Sequence, residues 1–345
     1  MKITVLNDAS AKGGDNAEGR VSATPDTVKA YVGAGHEVTV VKGAGAAANF
    51  ADALYKEAGA SIAASNAAAA KSADLVMSIT GRDAKFVAGL KKGAGITGLM
   101  NPTDNPKYAA AAAKAGVTAF ALEYIPRISR AQSMDILSSQ SNLSGYRSVV
   151  EGASIYGRAM PMMMTAAGTV APAKCFIMGV GVAGLQAIAT ARRLGAVTTA
   201  TDVRPATKEQ VASLGAKFIA VENDEFKEAE TAGGYAKQMS AEYQKLQAEL
   251  TASHIAKQDI VITTALIPGR DAPVLVTKAM LDTMRPGSVL VDLAAERGGN
   301  VEGCQAGKIV TTKNGVKIVG LLNWPSRLAS DASNMFARNL KNFLP

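Results

Sequence analysis

Short apolar runs recur along the first third of the chain, separated by stretches with helical spacing of apolar residues. Residues 3–6, 37–41, 75–79, 96–100 and 117–121 read as buried strands. Thr24-Pro25-Asp26 opens a helix, with Thr24 as its cap and Pro25 in the first turn, where a missing N–H is harmless. Gly33-Ala34-Gly35-His36 closes it, and residues 51–58 form another helix. Strands alternating with helices predict a mostly parallel sheet.

Between residues 127 and 164 the pattern changes. Ser, Gln, Met and Ala dominate, and no apolar strand precedes Pro161. A long helical connector is expected there. From Ala171 a second alternating series begins, with strands at 175–179, 197–202, 217–221, 260–264, 289–293 and 316–319. Residues 329–343 read as a closing helix that packs back on the first series. The expected boundaries are therefore 1–135 plus 327–345 for a first domain and 136–326 for a second, with the connector helix at about 127–164.

Hydrophobic residues make up 48% of the chain and charged residues 19%, enough apolar material for two cores. Aromatics are only 5%; alanine and glycine carry much of the apolar count, which suits close helix–sheet packing. The net charge of +8 is spread over single basic residues and pairs such as Lys91-Lys92 and Arg192-Arg193, without interleaved aromatics. That argues against nucleic acid as a partner and for a basic surface that attracts acidic or phosphorylated ligands. Cys175 and Cys304 share no ligand or disulfide spacing, and with His36 and His254 the only histidines no metal site is expected. Such cysteine usage fits a reducing compartment. The first residues lack the apolar core of a signal peptide, and the longest apolar tract, 159–191, is interrupted by Lys174, glycines and prolines. No membrane span is expected, although a chain without one can still dock on a membrane partner.

The decisive motif is Gly179-Val180-Gly181-Val182-Ala183-Gly184. Alone, G-x-G-x-x-G is a weak signal. Here an apolar strand precedes it directly, a helix at 185–194 follows it, and the next strand ends in Asp202, 23 residues past Gly179. Gly179 would make the tight turn, Gly181 would admit a pyrophosphate to the backbone, and Gly184 would let helix and strand touch. Asp202, followed by Val203 and Arg204, could accept ribose hydroxyls and repel a 2′-phosphate, favouring NAD(H) over NADP(H); Arg204 points the other way, because an arginine can receive that phosphate. A second cofactor segment, Thr263-Thr264-Ala265-Leu266-Ile267-Pro268-Gly269, follows the apolar strand at 259–262, with Thr264, Ala265 and Leu266 as its candidate contacts. The expected fold is α/β: two Rossmann-like domains with parallel sheets, joined by helical connectors, with NAD in the cleft.

Three further strings carry a family resemblance. They are Pro126-Arg127-Ile128-Ser129-Arg130-Ala131-Gln132-Ser133-Met134-Asp135 continuing as Leu137-Ser138-Ser139-Gln140, Pro161-Met162-Met163-Met164-Thr165-Ala166-Ala167-Gly168-Thr169, and Thr231-Ala232-Gly233-Gly234-Tyr235-Ala236. Through them nearly the whole chain resembles the NAD(H)-binding alpha subunit of proton-translocating NAD(P) transhydrogenase, a family related to the alanine dehydrogenases. The resemblance implies Si- to Re-face-specific hydride transfer from NADH on this chain to NADP⁺ on an NADP-binding beta subunit, coupled to proton passage through a membrane-spanning subunit. It implies a nicotinamide pocket lined by Arg127, Gln132, Asp135 and Ser138, and a mobile loop at 229–236 that closes over NAD with Tyr235 at its tip, for which Gly233-Gly234 would supply the hinges. It also implies a homodimer held at the cytoplasmic side of an inner or mitochondrial-type membrane through its partners. With no linker or membrane helix following Pro345, those partners are expected as separate chains, unless the chain is a divergent or isolated member. The chemistry is self-consistent: hydride transfer between two nicotinamides needs orientation rather than a proton relay. Gln132 can hold the carboxamide, Arg127 and Asp135 can pair, and on a helix Gln132, Asp135 and Ser138 would share a face.

The chain departs from that family in its first domain. Asn7-Asp8 replaces the usual Lys-Glu, a lysine usual in the strand at 76–79 is Ser78 or a neighbour, and Leu99-Met100-Asn101-Pro102-Thr103 is atypical. Two other functions stay open from the residues alone. One is a stand-alone alanine or amino-acid dehydrogenase, with Arg20 as the carboxylate clamp; it requires an acid/base histidine in the first domain, where residues 37–253 contain none. The other is a non-catalytic NAD sensor.

Overall fold

The computed structural model describes residues 1–9, 17–228, 239–267 and 270–344. The chain divides into one unit of Met1–Gln140 with Pro325–Pro345 and a second of Ser141–Trp324.

The first unit holds a six-stranded sheet of β1 (Lys2–Val5), β2 (Glu37–Val41), β3 (Ser61–Ala63), β4 (Leu75–Thr80), β5 (Gly95–Leu99) and β6 (Thr118–Ala121), in the order β3-β2-β1-β4-β5-β6. Every pairing is parallel. Both faces are covered, as the apolar runs require: Leu75, Met77 and Ile79 of β4 enter one core with Phe336 and Leu340 of the closing helix Ala329–Phe343, while Val76 enters another with Tyr108 and Val117. The helix Pro25–Gly33 begins as its sequence dictates: Pro25 occupies the first turn, and the Thr24 N–H donates to Thr27 Oγ1 at 2.9 Å, half of a reciprocal cap.

In the second unit a small antiparallel hairpin, β7 (Met163–Thr165) and β8 (Gly168–Val170), precedes the main sheet. That sheet comprises β9 (Lys174–Met178), β10 (Val197–Thr201), β11 (Lys217–Phe218), β12 (Ile260–Thr263), β13 (Val289–Asp292), β14 (Ile309–Thr311) and β15 (Lys317–Val319), ordered β11-β10-β9-β12-β13-β15-β14. All its pairs are parallel except β14 with β15. β9 is buried on both faces, Cys175 and Ile177 in one core and Phe176 and Met178 in the other.

The structure differs from the sequence expectation in short elements. β3, β14 and the hairpin were not expected; each strand has only three residues, too few for a periodicity to register. The connector at 127–164 is not one helix. A 3₁₀ turn, Ser129–Met134, is followed by a 21-residue helix, Ile136–Tyr156, and then by the hairpin.

Candidate functional site

β9 and β12 lie side by side, whereas the chain between them runs out to β10 and β11 on the far side of β9. The strand order reverses at this pair, so the loops leaving their C-terminal ends diverge and open a crevice, where parallel α/β sheets bind ligands. The glycine loop leaves β9 at this point and feeds the helix Val182–Arg193.

The three glycines differ in what surrounds them. Gly179 has φ of 99°, a backbone conformation closed to most side chains, and a Cβ there would stand 2.6 Å from Thr264 Oγ1. A Cβ on Gly184 would lie 1.9 Å from the Gly179 carbonyl oxygen, so helix and turn touch only because Gly184 lacks a side chain. Gly181 caps the helix, is exposed, and has open space where a Cβ would stand. The protein's own packing requires the first and last glycines; nothing in it requires the middle one, whose bare backbone faces outward beside the helix N-terminus.

Asp202, just past the end of β10, is tied to this loop. Its Oδ2 accepts from the Val180 N–H at 2.7 Å and from Arg204 Nη2 at 3.0 Å; its Oδ1 accepts from the Arg204 N–H and Nε, both at 2.9 Å. Arg204 Nη2 also donates to the Val180 carbonyl at 3.1 Å. On the other side of the crevice Thr264 Oγ1 donates to the Gly179 carbonyl at 3.0 Å. Sequence reasoning missed what holds the next residue. Asn300 accepts from the Ala265 N–H at 3.0 Å and donates to the Ala265 and Pro273 carbonyls at 2.9 and 2.8 Å. The buried Asp292 carboxylate in turn accepts from the N–H groups of Ala294, Asn300 and Val301. The available signal was an acid ending β13 shortly before Gly298-Gly299-Asn300. Gly145 was missed too: a Cβ there would meet the Ala183 carbonyl oxygen at 2.1 Å, so the helix Ile136–Tyr156 runs hard against the start of the loop helix. Val182, Val203 and Leu266 expose apolar side chains. Gly234 and Tyr235 lie outside the described residues.

The second group of candidates belongs to the first unit. Arg127 and Gln132 are exposed, Asp135 and Ser138 half-buried. They do not share a helical face. Gln132 sits in the 3₁₀ turn, Asp135 ends it, and Ser138 lies in the first turn of the following helix. Asp135 acts as that helix's cap, accepting from the Ser138 N–H at 2.9 Å and from Ser138 Oγ at 2.6 Å. Among the described residues no ion pair joins Arg127 to Asp135. The turn is pinned from outside: Asn339 and Asn342 of the closing helix donate to the Ser133 carbonyl at 2.7 and 3.1 Å.

The atypical residues of the first unit also meet. Asp8 is fully buried, with Ser78 Oγ 2.6 Å from its Oδ1, the Ile79 N–H 2.9 Å from its Oδ2 and Arg82 Nη1 at 3.3 Å. Burial pushes its carboxyl up to about 6, against the pull of those donors. Arg20 is buried with its fork closed on Glu18, at 2.8 and 2.7 Å, and on Gln140 at 2.9 Å.

Known proteins share both units. The family models described as "Alanine dehydrogenase/PNT, N-terminal domain" and "Alanine dehydrogenase/PNT, C-terminal domain" match residues 12–144 and 148–345. The chain belongs to the alanine dehydrogenase/PNT family. Within it, the chain is 56% identical over 334 residues to an NAD(P) transhydrogenase subunit alpha chain of Rhodospirillum rubrum, covering 95% of this chain and 86% of that one. The crystal structure of transhydrogenase from Sinorhizobium meliloti superposes with a TM-score of 0.90 at 53% identity, over 100% of this chain and 92% of that chain. An L-alanine dehydrogenase structure follows at a TM-score of 0.81 and 25% identity, over 100% and 89% of the two chains. The alanine dehydrogenase/PNT chain thus lies much nearer the transhydrogenase members than the amino-acid dehydrogenases, and its Rossmann-type sheets are those of the family.

Proposed function

We propose that the chain is the NAD(H)-binding catalytic component of a proton-translocating NAD(P) transhydrogenase. The observation that carries this reading is the glycine loop at the strand-order reversal, crowded at Gly179 and Gly184 and open at Gly181. A dinucleotide fits that arrangement. Its pyrophosphate meets bare backbone at a helix N-terminus, where N–H groups and the helix dipole favour an anion. Asp202 stands at the ribose position and disfavours a 2′-phosphate, so NAD(H) is the cognate cofactor. Thr264, Ala265 and Leu266, held by Asn300, form the nicotinamide-side wall; Val182 and Val203 offer apolar surface to the bases.

When bound, NADH supplies a hydride to NADP⁺ carried by a separate beta subunit. The chain's own residues orient the ring rather than move protons. Gln132, on a turn fixed by Asn339 and Asn342, presents its amide to the carboxamide. The Asp135–Ser138 cap sets where that turn ends, and Arg127 adds positive charge. Coupling to proton passage falls to a membrane-spanning subunit, on whose cytoplasmic face this chain sits as a homodimer. Among the described residues no helix is long and apolar enough to cross a membrane. The amino-acid dehydrogenase reading loses its clamp, because the Arg20 fork is already closed on Glu18 and Gln140.

The test is titration with NADH and NADPH, paired with a transhydrogenation assay in the presence and absence of an NADP-binding partner. NADH binds more tightly, and Asp202→Ala weakens it about tenfold or more, because hydrogen bonds to a charged group contribute roughly 1.5–3 kcal/mol. Equal affinity of the native chain for both reduced cofactors removes Asp202 from this role. Absence of partner-dependent hydride exchange removes the transhydrogenase reading.

A further inference from the structure

The Asp202 carboxylate is already saturated. A carboxylate has about four acceptor directions, and four donors fill them: the Val180 N–H and three groups of Arg204. A ribose diol that brings its own donors to this carboxylate must replace some of these. The Val180 and Arg204 N–H groups are backbone and fixed by the loop. The Arg204 guanidinium is side chain, 32% exposed against 7% for Asp202, and is therefore the replaceable partner.

We infer that Arg204 is a latch: its guanidinium competes with the adenosine ribose for Asp202, and once displaced it lies where a 2′-phosphate would be received. The inference rests on the NAD(H) reading of the loop. It assigns Arg204 two opposed effects, lowering affinity for NADH and raising tolerance of NADPH. The same fork donates to the Val180 carbonyl, so its release also frees one tie on the glycine loop. The competition is modest in size. Because the guanidinium is about a third exposed and regains water when displaced, its net competition is about 1 kcal/mol, which corresponds to roughly a fivefold change in affinity. The gain toward a phosphate is larger, because a bidentate guanidinium–phosphate contact is among the stronger charge-assisted pairs.

The test compares native chain, Arg204→Leu and Arg204→Lys by calorimetric titration with NADH and with NADPH, each variant checked for native melting. Leucine keeps the bulk and removes every donor; lysine keeps the charge without the fork. The latch requires NADH to bind about two- to fivefold more tightly to both variants. NADPH binds at least about tenfold more weakly to the leucine variant, and less so to the lysine variant. In the native chain the ¹⁵N resonance of Arg204 Nε shifts on NADH addition as the pair opens. Parallel weakening of both cofactors in the leucine variant would mean that Arg204 only braces the glycine loop, and overturns the latch. Weaker NADH binding alone would make Arg204 a direct NADH contact and also overturns it. If the native chain binds no NADH at all, the cofactor reading itself fails, an outcome separate from either of these.

Discussion

At the scale of single residues, Asp8 shows how proton position follows from geometry. Ser78 Oγ lies 2.6 Å from Asp8 Oδ1 and 2.7 Å from the Thr80 carbonyl oxygen. A hydroxyl has one hydrogen, so it satisfies both neighbours only when Asp8 carries a proton and donates to it. Burial, with the nearby Glu18 charge as a smaller contribution, raises this carboxyl from 3.8 to about 6. A carboxyl whose folded value is raised stabilises the fold fully below its unfolded value, and that contribution is lost as pH rises through the folded value. The window is therefore about pH 4 to 6, and the displacement is worth roughly 3 kcal/mol. Asp8→Asn removes the titration. Its melting temperature relative to the native chain should rise between pH 5 and pH 7.5; an unchanged difference over that interval would mean that Asp8 is held charged by Arg82, since a carboxylate ionised in both states contributes no pH dependence there.

At the scale of elements, the turn and cap at 129–138 are the sensitive region. In the proposed reading most cofactor affinity comes from pyrophosphate and ribose contacts of the second unit, and Gln132 is given the nicotinamide. Gln132→Asn shortens the arm by one methylene and keeps the amide. A misplacement near 1 Å can lower a rate on the order of 100-fold. Transhydrogenation with an NADP-binding partner should therefore collapse while NADH affinity changes little. Gln132 is exposed, so if it were only a surface residue its substitution would stay within about 0.5 kcal/mol of neutral and leave the rate untouched. An unchanged rate in folded, NADH-saturated protein removes Gln132 from the site.

At the scale of the whole molecule, the hairpin β7–β8 stands out. Met162, Met163 and Met164 are exposed, Met164 at 78%, an unusual display of flexible apolar side chains. The proposed homodimer would give them a covered face. Met164→Lys should shift sedimentation from dimer toward monomer while leaving the melting of the subunit intact; a dimer of unchanged strength places the subunit contact elsewhere. Among the described residues no group of three or more His, Cys, Asp and Glu side chains could hold a metal ion. Burial also raises both thiols, Cys175 and Cys304, to about 12, so neither is a ready nucleophile. Neither chelator nor reductant should change NADH affinity; loss of binding in chelator, restored by a divalent ion, would reveal a required metal.

What the sequence alone determined is whatever is written in neighbouring residues. The run Cys175–Met178 followed by spaced glycines specifies strand, turn and helix, because apolar period and glycine conformation are local properties. Thr24-Pro25 likewise fixes a helix start. The three-residue strands β3 and β14 escaped, since their identity comes from the strand beside them rather than from their own pattern. The helical face expected for Gln132, Asp135 and Ser138 also failed locally: the Asp135 carboxylate captures the Ser138 N–H and begins a new helix, a side-chain capture that spacing does not reveal. Only the tertiary structure brought Asp8 to Ser78 and Asn300 to Ala265, since strand order decides which side chains meet across 70 or 35 residues. Asp202 illustrates both limits. Its position past β10 was legible, but the filling of its oxygens by Val180 and Arg204 depended on the glycine loop folding back over the strand end, which no spacing in the chain specifies.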